Sequence, residues 1–213
     1  MTQIFFPAQK RYLDSFKRND NKLFREMEEY AAEHNMPILD WHAAELIEKL
    51  IRIHRPDRVL EIGTAIAYTT IKIAESLHKK SVIHTIEKSK DNIKLAKKFI
   101  DKSDVAKKIK LIEGDALKVM LRLEKKYDFI FLDADKEDYK RLFDYSMILL
   151  KKGGVIVIDN LLWHGYTAST RVPPKYTNST KHIRDFNKLF IRQQNLDSMI
   201  VPIGDGLGLG IKK

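Results

Sequence analysis

Two stretches of the chain run from apolar residues straight into acids: FLDADKEDY at 131–139 and VIDNLLWHG at 157–165. If both apolar runs are strands of one parallel sheet, Asp133, Asp159 and Asn160 lie at strand ends on a single edge. Two carboxylates and an amide oxygen are hard ligands, suited to Mg²⁺ with water and substrate oxygens completing an octahedron. Left alone, two such acids repel and one is driven towards protonation, so a cation resolves the conflict. Lys136 follows Asp133 by three residues, at the start of the next helix. A metal and a helix N-terminus both disfavour a charged amine, so its pKa is expected to fall towards the range of a general base. The plain alternative is a surface lysine, in a chain that has 28 of them.

Three further residues sit where ligands of open α/β sheets bind. Gly63, in RVLEIGTAIAYTT, follows an apolar run directly and lets a ligand approach the backbone. Ala65 and Ala67 follow it, so the glycine fingerprint of a dinucleotide pyrophosphate site is broken. The loop suits a nucleoside without phosphates, such as S-adenosylmethionine, and argues against a dehydrogenase. Equally, Gly63 could simply permit a turn. Glu87 ends the second apolar run, 24 residues after Gly63. That is near the spacing of about 20 at which an acid accepts hydrogen bonds from both hydroxyls of a ribose; capping the next helix is the other role open to it. Asp115, in EGDAL, could meet an adenine amino group, cap a helix, or do both.

These positions depend on alternating strands and helices. Apolar runs at 58–62, 82–87, 109–113, 127–134 and 154–160 predict buried parallel strands. Helical stretches at 66–78, 89–102, 116–125 and 137–150 lie between them, as right-handed crossovers require. Before the sheet, 22–34 and 41–54 read as helices, the second capped by Asp40 and closed before Pro56. After it come a helix at 179–194 and two apolar runs around Gly204-Asp205-Gly206, an antiparallel hairpin closing the sheet. Residues 163–178, with Pro173-Pro174 and Gly165, fit a substrate-gating loop.

The composition narrows the classes. At 213 residues the chain suits one α/β domain, with residues 1–55 forming helices over the site and 56–213 the core. The absence of cysteine excludes disulfides, thiolate nucleophiles and cysteine-ligated metals. No apolar run approaches the roughly 18 residues of a membrane span, and MTQIFFPAQKRY lacks a signal-peptide core. The expectation is a cytoplasmic protein without a membrane partner. The net charge is +10, and residues 78–110 hold eleven lysines against four acids. This predicts either a polyanion-binding face or a lysine-rich solvated surface.

The segments LEIGTAIAYTT, IE at 86–87, FLDADK and DNLLWHG, in this order and spacing, resemble the cation-dependent O-methyltransferases. These include catechol and caffeoyl-CoA O-methyltransferases and bacterial relatives. The likeness covers about 36–213, including GDGLGLGIKK at 204–213. It implies a Rossmann-like S-adenosylmethionine-dependent methyltransferase fold, with a seven-stranded, mostly parallel sheet ending in an antiparallel hairpin. It also implies Mg²⁺ held by Asp133, Asp159 and Asn160, and Lys136 as the catalytic base. The implied cofactor contacts are Leu39, Glu61, Gly63, Thr69, Glu87, Asp115, Ala116, Asp133 and Asp135. Among them Glu87 is the ribose acid, and Thr69 stands where a serine usually holds the methionine carboxylate. Ala67 departs from the family, which usually has glycine there. The nearest likeness is to a bacterial branch that methylates 5-hydroxyuridine at the tRNA wobble position, giving 5-methoxyuridine. This implies the tRNA anticodon loop as substrate, with Arg171 and Lys175 near flanking phosphates, and a homodimer. A catechol or caffeoyl-CoA-like acceptor is the alternative.

Overall fold

The computed structural model describes residues 6–17 and 21–213, so the start of the N-terminal apolar patch, 1–5, lies outside the described residues. Three helices come first: α1 (Pro7–Asp14), α2 (Lys22–Glu33) and α3 (Trp41–His54). Asn21 and Asp40 cap α2 and α3 by accepting hydrogen bonds from Leu23 N and His42 N.

The sheet strands are β1 (Arg58–Ile62), β2 (Val82–Glu87), β3 (Ile109–Glu113), β4 (Tyr127–Leu132), β5 (Leu150–Ile158), β6 (Leu196–Val201) and β7 (Leu207–Lys212). Their spatial order is β3-β2-β1-β4-β5-β7-β6. The first five are parallel, and β7 runs antiparallel between β5 and β6. This is the predicted seven-stranded sheet with its reversed hairpin.

The helices α4 (Tyr68–Ser76), α5 (Lys90–Asp101), α6 (Ala116–Val119), α7 (Tyr139–Leu149) and α8 (Thr177–Ile191) connect the strands. Alternation along each strand sends side chains to two cores. Val59, Ile83, Phe129 and Val157 pack beneath α2–α5, while Leu60, Ile86, Ile130 and Ile158 pack against α6–α8. Both faces are therefore apolar, as buried parallel strands require. Tyr68, the first residue of α4, ties that helix to α2 through its hydroxyl and Glu28 Oε1 at 2.7 Å.

Some element ends differ from expectation. The fourth strand ends at Leu132, because Asp133 turns out of the ladder while its N–H still bonds Ile62 O at 2.9 Å. The fifth begins at Leu150, before the glycine pair, and a register shift opposite Tyr127 and Phe129 absorbs the extra residues. The helix expected at 116–125 stops at Val119 and tightens into a 3₁₀ turn, Met120–Arg122, that turns Leu121 to solvent. Residues 163–178 hold two 3₁₀ turns, Trp163–Ala168 and Pro174–Tyr176, and α8 begins at Thr177. No helix among the described residues is long and apolar enough to cross a membrane.

Order reverses at β1, which lies between β2 and β4, and such a switch point opens a crevice at the strands' carboxyl ends. Gly63 stands at the mouth of that crevice with φ +100°, and a Cβ there would overlap the carbonyl oxygen of Asp133. Only glycine fits. Gly63→Ala should lose more than about 3 kcal/mol, lowering the melting temperature by roughly 8 °C or more, or should fail to fold. Circular dichroism melts check this; a melting temperature within two degrees of the parent would contradict it.

Candidate active site

The crevice is a cleft of about 800 Å³ at the carboxyl ends of β1–β5, within the range of small-ligand sites. Pro37, Ile38 and Leu39, from the turn before α3, form one wall.

The end below β1–β3 gathers most of the residues expected to meet a nucleoside. Glu87 is buried, and three backbone N–H groups fix its carboxylate: Ala65 N to Oε2 at 2.9 Å, and Lys88 N and Ser89 N to Oε1 at 3.0 and 2.8 Å. Asp115 caps α6 through Leu117 N at 2.9 Å and also lines the cleft. Gly63, Ala116 and Leu39 also line the cleft. Asp135 stands on the rim, its carboxylate bound to the Lys88 ammonium. That contact lifts the Lys88 pKa above its ordinary value.

Glu61 and Thr69 are placed elsewhere. Thr69 lies half-buried in the first turn of α4, outside the cleft lining. Glu61 is fully buried on the opposite face of β1 from Leu60 and Ile62, and it too is off the wall. Thr70 and Thr85 hydroxyls donate to its Oε2, the latter at 2.6 Å, and Oε1 has no partner. Burial, with Asp133 and Glu87 adding repulsion, pushes its pKa up to about 8 despite the two hydroxyls. Ala67 is also buried off the wall, in the left-handed region at φ 69°. That backbone explains why the family favours glycine there, and the extra methyl does not enter the cleft.

The end below β4 and β5 gathers the predicted acid cluster. The Lys136 ammonium donates to Asp133 Oδ1 at 3.0 Å, Asn160 Oδ1 at 2.6 Å and Tyr139 OH at 2.7 Å. Tyr139 OH in turn donates to the Asp159 carbonyl at 3.0 Å. All three ammonium hydrogens are thereby engaged. Burial alone would lower the Lys136 pKa, but the oxygens of Tyr139, Asp133 and Asp159 outweigh it and hold the lysine above its ordinary value. Among the chain's own groups, carboxylates in contact outweigh desolvation, and the expected fall towards a general base is one that a bound cation would have to bring. Asp159 is buried beside them, and burial together with Asp133 raises its pKa well above the usual carboxylate range.

Sequence reasoning missed four residues of this site. Tyr139 and Trp163 flank the lysine, with ring centroids 4.8 and 5.6 Å from Nζ. Lys88 closes the rim on Asp135. Asp205, from the hairpin turn, accepts from Asn160 Nδ2 at 3.3 Å and His164 N at 2.6 Å. Tyr139 and Trp163 lie inside the quoted motifs and were legible as aromatics three residues from a functional position; Asp205 gave no local signal.

Among the described residues no group of three or more His, Asp or Glu side chains is arranged to hold a metal. The set here is of a different make: two aspartates and an amide oxygen around one lysine, with Asp205 on the far side of the amide. Such a group of hard oxygens fits a divalent cation.

The cleft, with an acid held at the end of β2 and an oxygen cluster at the ends of β4 and β5, has the parts that a methyltransferase site requires. The family model described as O-methyltransferase matches residues 14–213, and the chain belongs to that family. Caffeoyl-CoA O-methyltransferase 1 of Arabidopsis thaliana is 34% identical over 201 residues, covering 86% of this chain and 75% of that protein. The Medicago sativa caffeoyl-CoA O-methyltransferase is 32% identical over 206 residues, 88% and 81% of the two chains. A Staphylococcus aureus structure described as a candidate caffeoyl-CoA O-methyltransferase has a TM-score of 0.90 at 31% identity, covering 97% of this chain and all of that one. A Bacillus cereus O-methyltransferase in complex with SAH shares the fold at a TM-score of 0.84 and 24% identity, with 97% of each chain covered. The protein is an O-methyltransferase of this family.

Glu61 generates a pH prediction. The folded chain keeps its proton to about pH 8, whereas an ordinary carboxylate loses it near 4.5. Ionisation therefore favours the unfolded chain, and stability from this group falls as pH rises between those values. Glu61→Gln removes that fall. Its stability relative to the parent should improve by up to about 1.4 kcal/mol per pH unit between pH 5 and 8. Urea unfolding across that range checks it, and parallel curves for the two proteins would contradict it.

Proposed function

We propose that the chain methylates one of two neighbouring oxygens on a catechol or caffeoyl-CoA-like acceptor, with a divalent cation, Mg²⁺ by its chemistry, held by Asp133, Asp159 and Asn160. The observation that carries this is the convergence of those three residues with Lys136 beside the nucleoside end of one cleft. The names of the relatives at 30% identity and above support the acceptor class.

When bound, the cofactor supplies an electrophilic methyl group and the cation lowers the pKa of an acceptor hydroxyl. The rest is the work of the chain. Glu87 holds the ribose, and Leu39, Asp115 and Ala116 enclose the nucleoside. Lys136, kept as an ammonium, stabilises the acceptor oxyanion, and the hydroxyl proton leaves to solvent water. Trp163 gives the acceptor ring a flat wall. Aligning oxygen and methyl on fixed strand ends provides most of the acceleration.

A second reading, 5-hydroxyuridine at the tRNA wobble position becoming 5-methoxyuridine, is favoured by the charge distribution. The 5-hydroxyl and O4 of that base also form a neighbouring oxygen pair. Lys90, Lys94, Lys97 and Lys98 are exposed on α5 and Lys102 just beyond it, and Ser89 and Asn92 at its start line the cleft. Arg171 and Lys175 of the 163–178 segment would flank an anticodon loop, whose bases can be splayed out without melting a helix. A cytoplasmic location and a homodimer belong to this account, the latter tested by light scattering.

Glu87→Ala should weaken S-adenosylmethionine binding about tenfold or more, the worth of a charge-assisted hydrogen bond; calorimetry giving an unchanged affinity would remove its ribose role. Excess EDTA should abolish turnover and Mg²⁺ should restore it, and full activity in EDTA would contradict the cation. Acceptor class is decided by methyl transfer to caffeoyl-CoA, to free catechols and to tRNA carrying 5-hydroxyuridine. The account expects turnover of the first two; turnover on tRNA alone would replace it with the second reading.

A further inference from the structure

Asn160 is the amide among the proposed ligands, and it helps the site only with its oxygen facing the cation. Two neighbours define its orientation. On one side the Lys136 ammonium donates to Oδ1 at 2.6 Å. On the other, Nδ2 donates to Asp205 Oδ2 at 3.3 Å. A donor and an acceptor on opposite sides permit one orientation of an amide. A divalent ion on this oxygen competes with the ammonium for it, so Asp205 is then the group that keeps the amide from turning.

Asp205 also holds the backbone beyond Asn160. Its Oδ1 accepts from His164 N at 2.6 Å, and its carbonyl accepts from Leu162 N at 2.8 Å. Between them the chain takes a costly path: Asn160, Trp163 and His164 all have positive φ, at 63°, 46° and 55°. Such conformations persist only where surrounding contacts impose them. The turn can reach this segment because Gly206 packs directly on Leu162, where a Cβ would meet the Leu162 backbone nitrogen at 2.8 Å.

We propose that Asp205 is a positioning residue for the cation site: its carboxylate turns the Asn160 oxygen inward and locks the 160–164 backbone that carries it. The inference rests on the proposed cation site and concerns this chain's own geometry. Residues that orient metal ligands commonly change metal affinity by about 10–100-fold.

The test is Mn²⁺ binding by electron paramagnetic resonance, without cofactor or acceptor. Asp205→Asn keeps the shape and an acceptor for His164 N but sets an NH₂ against the Asn160 amide, which is driven to turn. Mn²⁺ affinity should fall at least tenfold, while SAH affinity and the metal-free melting temperature stay near those of the parent. The exchanged double variant Asn160→Asp/Asp205→Asn restores the donor–acceptor pairing with an oxygen inward, and should recover Mn²⁺ binding to within about threefold. Asn160→Asp alone sets a second carboxylate against Asp205 and should bind Mn²⁺ no better than the double variant; a merely structural role for Asp205 makes that single variant the tighter binder, because it keeps one more negative charge. Parent-like Mn²⁺ binding in Asp205→Asn overturns the inference, as does a double variant no better than Asp205→Asn. If Asp205→Asn does not fold, the double variant decides alone. Absent Mn²⁺ binding by the parent chain would instead overturn the cation site itself.

Discussion

Four main-chain hydrogen bonds along the carboxyl edge of the sheet fix the points from which the site's acids are presented. Gly114 N donates to Glu87 O, Gly63 N to Ile86 O, Asp133 N to Ile62 O and Asp159 N to Leu132 O, at 2.8–3.1 Å. Each joins the residue leaving one parallel strand to the carbonyl end of its neighbour. The ladder thus extends one step past the strands, and Asp133 and Asp159 start their loops from fixed points. Glycine at position 63 is what lets β1 and β4 close on this edge. The nucleoside acid on β2 and the oxygen cluster on β4 and β5 are then set by register rather than by flexible loops.

That rigidity concentrates negative charge. Asp133 and Asp159 cannot move apart, and Asp159 is buried. The chain compensates with Lys136, whose ammonium reaches Asp133, Asn160 and Tyr139 at once. One lysine stands among three acids, and burial drives Asp159 towards its neutral form, so the hard oxygens gathered here suit a divalent ion that would let both aspartates ionise. The same cluster explains why Lys136 is held protonated: its neighbours outweigh its burial.

The sheet and most of the cleft wall are legible in the sequence because both follow from one pattern, an apolar run ending in a polar residue. Val82–Glu87 and Ile109–Glu113 are strands to the residue, and Glu87, Asp115, Asp133, Asp159 and Asn160 line the cleft as placed. What is not legible depends on facing and on distant contacts. Glu61 sits two residues before Gly63, but strand alternation turns it into the core under α4, where it meets Thr70 and Thr85. Ala67 lies in the cofactor loop by sequence and off its surface in space, since its left-handed backbone folds the methyl inward. The raised pKa of Lys136 follows from three contacts made only after folding. Asp205 is 45 residues from Asn160, and only the hairpin turn reveals their meeting.

The central claim is that the oxygens of Asp133, Asp159 and Asn160 hold a divalent cation next to the cofactor. Anomalous diffraction at the manganese edge, from crystals grown with Mn²⁺, SAH and a catechol, measures this directly. The account predicts one anomalous peak, about 2.1 Å from an oxygen of each of the three residues, with both catechol oxygens turned to it. No peak there, with Lys136 still bridging Asp133 and Asn160, would contradict it.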